Sequence, residues 1–292
     1  MSETSNPAGD RRPLLLVVVG RQRVGKTTLL NTVVQFVRAH GGRATVWNAD
    51  MLNRSYSLSM FHADVLEPVS ADPEDVKAWL EERFMHLAEH RYDAVLDVGG
   101  GDTPLARLVE EVPIVRTLER RGVRVVLVHV LGPEMADLDY LERFLTDSLL
   151  APEATLIVLN NGLVLTGRSA NFAFAKVAEH PAVLGAGRSG ACVALMPRLS
   201  CMSQVTDRGM TFAEAMADGA AKPGHAPLSF FDQERVAVWW ERELPKFFRQ
   251  IPPLWLPAMP RFEPPDGTGR DAGAEAGTSP ARGGRKREAA DA

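Results

Sequence analysis

Residues 20–31 read GRQRVGKTTLLN, and this stretch decides how the chain is understood. Gly20, Gly25, Lys26 and Thr27 satisfy the pattern G-x-x-x-x-G-K-[ST]. The context suits the pattern. The run PLLLVVVG (13–20) reads as a buried strand entering the loop, and Leu29, Leu30, Val33, Val34, Phe36 and Val37 give the following helix an apolar face. Each part has a physical task. Glycines let backbone N–H groups curl around a phosphate, and the helix N-terminus adds partial positive charge. Lys26 is placed to reach the outer phosphates, and the Thr27 hydroxyl is a hard ligand suited to Mg²⁺. The competing reading is a glycine-rich turn with no ligand. It leaves unexplained a lysine placed where its charge must be desolvated.

Working outward, apolar runs at 14–19, 44–47, 94–97, 123–130, 155–160 and 191–196 are nearly continuous in Val, Ile and Leu. Strands covered on both faces look like this. Helix candidates near 26–39, 73–90, 103–121, 134–149 and 168–180 lie between them. Asp72 suits an N-cap, with Pro73 in the first turn and Val76, Leu80, Phe84 and Leu87 on one face. Alternating strands and helices predict an α/β fold: a doubly wound, mostly parallel sheet with helices on both faces. A last helix, 231–250, carries the stripe Val236, Trp239, Trp240, Leu244 and Phe247, expected to pack on the flank of the sheet. A membrane-surface or partner helix is the competing reading of that stripe. Pro245 is expected to bend or end the helix. The segment IPPLWLPAMP (251–260) reads as a proline-stiffened extension laid over the body.

Two carboxylates fall at the carboxyl ends of strands, the edge where open parallel sheets place ligands. Asp97 closes YDAVLD and meets Gly99, Gly100 and Gly101, a loop able to approach and leave a γ-phosphate. Asp97 is a candidate Mg²⁺ ligand with Thr27; a strand-ending turn with a solvated carboxylate is the alternative. Asp50 ends GRATVWNAD and is a candidate for orienting an attacking water or holding Mg²⁺ through water.

The bulk composition restricts the classes. The chain has 292 residues, 45% of them apolar and 24% charged, with a net charge of −4. These are the proportions of a globular protein with a full core and no global basic field for nucleic acid. Cys192 and Cys201 do not suggest a disulfide framework, and their spacing is not that of a zinc site. The only long apolar run near the start is eight residues ending in glycine, too short for a membrane span. The expected location is cytoplasmic. Residues 1–12 read as a flexible arm, 13–262 as the P-loop domain, and 263–292 as a disordered tail rich in Gly, Ala, Pro and charge. Its RGGRKR cluster (282–287) reads as solvated tail against a nucleic-acid or membrane contact.

Taken together, these motifs resemble the ParA/MinD group of P-loop ATPases with a deviant Walker-A loop, over roughly residues 13–250. That family carries Lys-Gly-Gly-x-Gly-Lys-Thr-Thr; here the window is Arg21-Gln22-Arg23-Val24-Gly25-Lys26-Thr27-Thr28. Its Asp-x-Asp at the second strand corresponds to Asn48-Ala49-Asp50, and its strand-ending Asp to Asp97. Adenine contacts in the family match Asn160 and Pro197. The sequence continues Asn160-Asn161-Gly162-Leu163 with no guanine signature, so ATP is expected over GTP. The resemblance implies a slow ATPase with ATP and Mg²⁺, dimerising on ATP, in plasmid or chromosome partition, plasmid maintenance or conjugative transfer. It places Gly20, Gln22, Arg23, Val24, Gly25, Lys26, Thr27 and Thr28 at the nucleotide, with Lys26, Asp50 and Arg21 in catalysis. Arg21 stands where the family's lysine reaches across a two-fold interface. Gln22 and Arg23 are bulky where the family has glycine, so a dimer requires them to point away.

The alternative class is a small-molecule phosphotransferase or ligase on the same fold. Its acceptor pocket would come from loops 51–72 or 198–227, where Arg54, Tyr56 and His62 are candidate anion contacts. The bland reading of 51–72 is a loop packed by Leu58, Met60 and Phe61. A third class, a scaffold that binds ATP without hydrolysing it, is opposed by intact Lys26, Thr27, Asp50 and Asp97. Nonspecific, salt-sensitive contact with DNA, or a DNA-bound stimulating partner, is the expected association. Site-specific DNA reading by a separate helix-turn-helix is not expected, because the phosphate loop begins by residue 20, and neither is membrane targeting by a basic amphipathic helix in the tail.

Overall fold

The computed structural model describes residues 11–53, 56–99, 104–146, 152–217 and 222–262. Most of the N-terminal arm, Arg54, Gly100, Gly101 and the 263–292 tail lie outside the described residues.

Among the described residues six strands form one sheet: β1 Leu14–Val19, β2 Thr45–Asn48, β3 Ala94–Asp97, β4 Arg124–Leu131, β5 Ala154–Asn160 and β6 Cys192–Met196. Their spatial order is β2-β3-β1-β4-β5-β6, and every pairing is parallel. Successive residues of β1 feed opposite cores. Leu14, Leu16 and Val18 join one cluster, and Leu15, Val17 and Val19 join another. Burial on both faces is why the strands read as unbroken apolar runs rather than as alternation.

Helices α1 Lys26–Ala39 and α2 Pro73–His90 occupy the expected ranges. Asp72 caps α2 by accepting from the N–H groups of Glu74 at 2.9 Å and Asp75 at 3.4 Å. The stretch expected as one helix over 103–121 is two, α3 Pro104–Glu111 and α4 Ile114–Arg120. Pro113 breaks it, because proline has no N–H to donate and disfavours helical geometry at the residue before it. Next come α5 Ala136–Thr146, α6 Ala170–Ala178 and α7 Pro181–Arg188. Ser169 and His180 cap α6 and α7. The short helices α8 Met202–Thr206 and α9 Phe212–Met216 follow.

The last helix neither ends nor simply bends at Pro245. It runs as α10 Phe230–Val238, a π turn at Trp239–Glu243, and α11 Leu244–Arg249. Widening the turn moves aside the carbonyl that a regular helix would aim at the Pro245 ring. The stripe packs inward as expected: Val236, Trp239, Leu244 and Phe247 are buried, and Trp240 packs on the same core. The extension after it lies over the body. Ala258 donates to Asp93 at 2.9 Å, and Arg261 to the His40 carbonyl at 3.0 Å. No helix among the described residues is long and apolar enough to cross a membrane.

This topology places the ends of β1, β2, β3, β4, β5 and β6 on one edge. Gly20, Asn48, Asp97, Leu131, Asn160 and Pro197 all lie there.

Candidate functional site

The loop between β1 and α1 is shaped from below by close packing. A Cβ on Gly20 (φ 149°) would sit 2.8 Å from the Val130 carbonyl oxygen, so β4 presses on the loop's base. Gly25 has φ 95°, and a Cβ there would sit 2.5 Å from the Asn160 amide nitrogen. Both positions require glycine for conformation and for room. Val24 buries its side chain in the core beneath the loop. Arg23 takes the left-handed region at φ 65°, uncommon for a residue with a Cβ. Gln22 and Arg23 are exposed at the loop tip.

Lys26 is 8% exposed, and its ammonium is held inside the loop. It donates to the Gly20 carbonyl at 3.1 Å and the Arg21 carbonyl at 3.2 Å. Burial lowers its pKa, opposed by the carboxylates of Asp97 and Asp50. Thr27 donates its hydroxyl to Asp97 at 2.7 Å. Asp97 is buried, and among the described residues its other oxygen, Oδ1, has no hydrogen-bond partner. Burial raises the Asp97 pKa to about 6, against the Thr27 hydrogen bond and the Lys26 charge, with Asp50 adding to the rise. A buried carboxylate with an orphaned oxygen, joined to a threonine hydroxyl, has the chemistry to hold Mg²⁺. The cation would supply the positive charge that this carboxylate lacks.

Asp50 stands beside them. Its N–H donates to the Asn48 side-chain oxygen at 3.1 Å, and its carboxylate lies 3.4 Å from where a Gly99 Cβ would be. Asn48, where the resembled family has its first acid, is buried and donates to Ser57 at 2.9 Å and Glu67 at 2.7 Å. It fastens the following loop to the strand end.

A cavity of about 890 Å³ opens here. Its lining includes the tip residues Gln22 and Arg23, then Lys26, Thr27, Thr28 and Asp50, and loop and helix residues such as Leu52 and Tyr56. Buried Asn31 of α1 also faces it, bonded to Gln35 at 2.7 Å. Of the candidate anion contacts, Tyr56 is hydrogen-bonded to Asp207. His62 is not an anion contact. It is buried 3.2 Å from Arg38, and burial lowers its pKa to about 4, leaving it neutral. Leu58 packs the loop as the bland reading holds, whereas Met60 is exposed.

Asn160 and Pro197 lie across β1 from this cavity. Asn160 is 7% exposed and its amide is already engaged. It donates to the Val24 carbonyl at 2.8 Å and accepts from Gly162 at 2.9 Å, tying β5 to the phosphate loop. The Pro197 carbonyl accepts from the Trp239 indole at 3.1 Å. Arg21 points away from the cavity and pairs with Glu134 and Asp137 just beyond β4. Neither acid stands out in the sequence. The rule that found Asp97, a carboxylate following a strand's carboxyl end, also applies to them.

No family model matches the chain. No curated protein matches it either. Among solved structures it is similar to the signal recognition particle receptor FtsY from Elizabethkingia anophelis in complex with GDP. That match has 14% identity, covers 82% of this chain and 67% of the other, and has a TM-score of 0.42. FtsY from Mycoplasma mycoides gives 16% identity, 50% and 52% coverage, and a TM-score of 0.34. Chloroplast FtsY from Physcomitrella patens gives 17%, 59% and 57%, and 0.39. The match thus spans about half the length of the Mycoplasma protein. The class rests on the chain's own geometry: an all-parallel, doubly wound sheet whose first strand enters a glycine-rich phosphate loop is a P-loop fold.

Proposed function

We propose that the chain is an ATP-binding, slowly hydrolysing switch ATPase of ParA/MinD type that self-associates on ATP. The observation that carries this is the cluster of Lys26, Thr27, Asp97 and Asp50 at one strand edge. Lys26 exchanges the loop carbonyls for phosphate oxygens. Thr27 and Asp97 would hold Mg²⁺, which would supply positive charge to offset that of the phosphates. Asp50 accepts a hydrogen bond from the attacking water and orients it. Gly99, just past the end of β3, lies against the Asp50 carboxylate. Gln22 and Arg23 are exposed at the loop tip, so self-association there requires both side chains to spread aside from a two-fold contact. ATP is favoured over GTP on the sequence after Asn160, which carries no aspartate to read guanine. Partition, maintenance or transfer of plasmid or chromosomal DNA is the role that the resemblance supplies, with DNA or a DNA-bound protein as partner.

A second reading has one observation in its favour. The lining of the 890 Å³ cavity includes Leu52 and Tyr56 as well as the phosphate loop and does not include Asn160, which leaves room for a phosphoryl acceptor.

The deciding experiment is light scattering with Mg²⁺ and either ADP or a slowly hydrolysed ATP analogue, with Lys26→Ala and Arg21→Ala as controls. A mass that doubles only with the ATP analogue, and in neither variant, supports the switch. A chain that binds ATP and keeps one mass in every state refutes it and favours the acceptor reading. Calorimetry with ATP and GTP tests the choice of base.

A further inference from the structure

Helix α1 carries two amides on its buried surface. Thr27, Asn31 and Gln35 follow one another at four-residue spacing and so share one face of the helix. Asn31 is 1% exposed and Gln35 9%. Asparagine is a poor residue for a helix interior, and burying an amide is costly unless its groups are met.

The hydrogen bonds fix which end of each amide points where. The Phe212 N–H, at the start of α9, donates to the Gln35 side-chain oxygen at 2.7 Å. A backbone N–H can only donate, so Gln35 receives it with Oε1 and keeps its Nε2 hydrogens to give. Nε2 donates to Asn31 Oδ1 at 2.7 Å. The Asn31 oxygen is thus turned to Gln35, and the amide nitrogen is the end left over. Among the described residues that nitrogen donates to no acceptor.

Asn31 lines the cavity beside the phosphate loop, one helical turn beyond Thr27, whereas Gln35 and Phe212 do not line it. What Asn31 offers there is a donor. A hydration water of Mg²⁺ turns its hydrogens outward and does not match one. The match is an acceptor oxygen. Leu52, Phe61, Val76, Leu80 and Leu105 also line the cavity, so an apolar body suits the rest of the space.

We propose that this cavity holds a second ligand beside the nucleotide: a small molecule with a carbonyl or carboxylate oxygen on an apolar body, the oxygen accepting from the Asn31 amide. Gln35 is a positioning residue that sets the direction of that amide. The inference rests on the acceptor reading above, in which the cavity has room for a second molecule, and names the class of that molecule. It does not depend on self-association.

The test uses the full chain with Mg²⁺ and ADP, in wild type, Asn31→Leu and Gln35→Glu. A glutamate at 35 still accepts from Phe212 but has no hydrogen for Asn31 Oδ1, so the Asn31 amide turns its nitrogen to the new carboxylate. An oxygen then faces the cavity, although no residue lining it has changed. Isovalerate, methyl isobutyl ketone and isoamylamine share an apolar body and differ in the polar end. Each is titrated by NMR, with the Asn31 side-chain amide resonances as reporter in the chains that keep it. We expect an oxygen-bearing probe to bind wild type and shift those resonances, isovalerate marking a carboxylate site and the ketone a neutral one. Both variants should weaken that probe about 5-fold or more, the loss of one hydrogen bond, and leave isoamylamine unweakened. Nucleotide affinity in Gln35→Glu should stay near that of wild type. The proposal is overturned if neither oxygen-bearing probe binds, if the variants bind it as wild type does, or if isoamylamine falls equally. Should Gln35→Glu not fold, Asn31→Leu decides by the same criteria. Replacing ADP with ATP tests the acceptor reading apart from this: a probe that binds through Asn31 yet gains no phosphoryl group, by phosphorus NMR, supports the second-ligand site and withdraws the transfer.

Discussion

Replacing Asn160 with alanine separates two roles for one side chain. In this structure the amide bridges the Val24 carbonyl at 2.8 Å and the Gly162 N–H at 2.9 Å. The bridge anchors the phosphate loop to β5 at a site that is 7% exposed. Each hydrogen bond contributes about 1 kcal/mol net, and a stranded buried partner costs about 1–3 kcal/mol. Asn160→Ala should therefore lower stability by about 2–4 kcal/mol. The assay is urea denaturation paired with calorimetric titration of ATP, GTP and inorganic tripolyphosphate. A loosened loop weakens all three ligands by a common factor, because every one of them needs the cradle. Contact with adenine weakens ATP alone. If stability stays within about 0.5 kcal/mol of wild type, or only ATP suffers, the anchoring argument is wrong and the base-reading expectation from the sequence is the better one.

Three further expectations follow from buried groups. Asp97 ionises in a buried site with a pKa of about 6 against an ordinary 3.8, which opposes folding at neutral pH by up to about 3 kcal/mol. Asp97→Asn should thus stabilise the ligand-free protein at pH 7 in a thermal melt while abolishing Mg²⁺-dependent nucleotide binding; a destabilised variant contradicts this. Burial lowers the pKa of His129 to about 3 and that of His62 to about 4, so the unfolded chain takes up these protons first. Their stability contribution is present above pH 6.5 and drains as pH falls toward the folded values, by about 2 kcal/mol each between pH 7 and 5. Urea midpoints of wild type and His129→Gln should converge or cross over that range, and parallel curves would count against it. A Cβ on Gly42 would fall 1.9 Å from the Ala258 carbonyl oxygen, with no flexible side chain to yield. Gly42→Ala should cost more than about 2 kcal/mol and speed hydrogen exchange at Arg261, whose N–H bonds the nearby His40 carbonyl; unchanged exchange would refute it.

Local features were legible in the residues themselves. Gly20, Gly25, Lys26 and Thr27 announced the loop because glycine conformation and a lysine's position are properties of a few neighbouring residues. The runs ending at Trp47, Asp97 and Asn160 announced strands because burial on both faces makes them nearly continuous in apolar residues. Pro113 also carried a local signal, the break between α3 and α4, although helical spacing on either side reads through it. Tertiary structure alone decided which polar atoms meet. Arg21 and Glu134 lie 113 residues apart in sequence, and Asn160 and the Val24 carbonyl 136 apart. Backbone carbonyls carry no residue-type signature, and a charge has no preferred partner until the strand order brings one near. The order β3-β1-β4-β5 set β4 and β5 beside the loop, turning Asn160 into its anchor and Glu134 and Asp137 into the holders of its arginine.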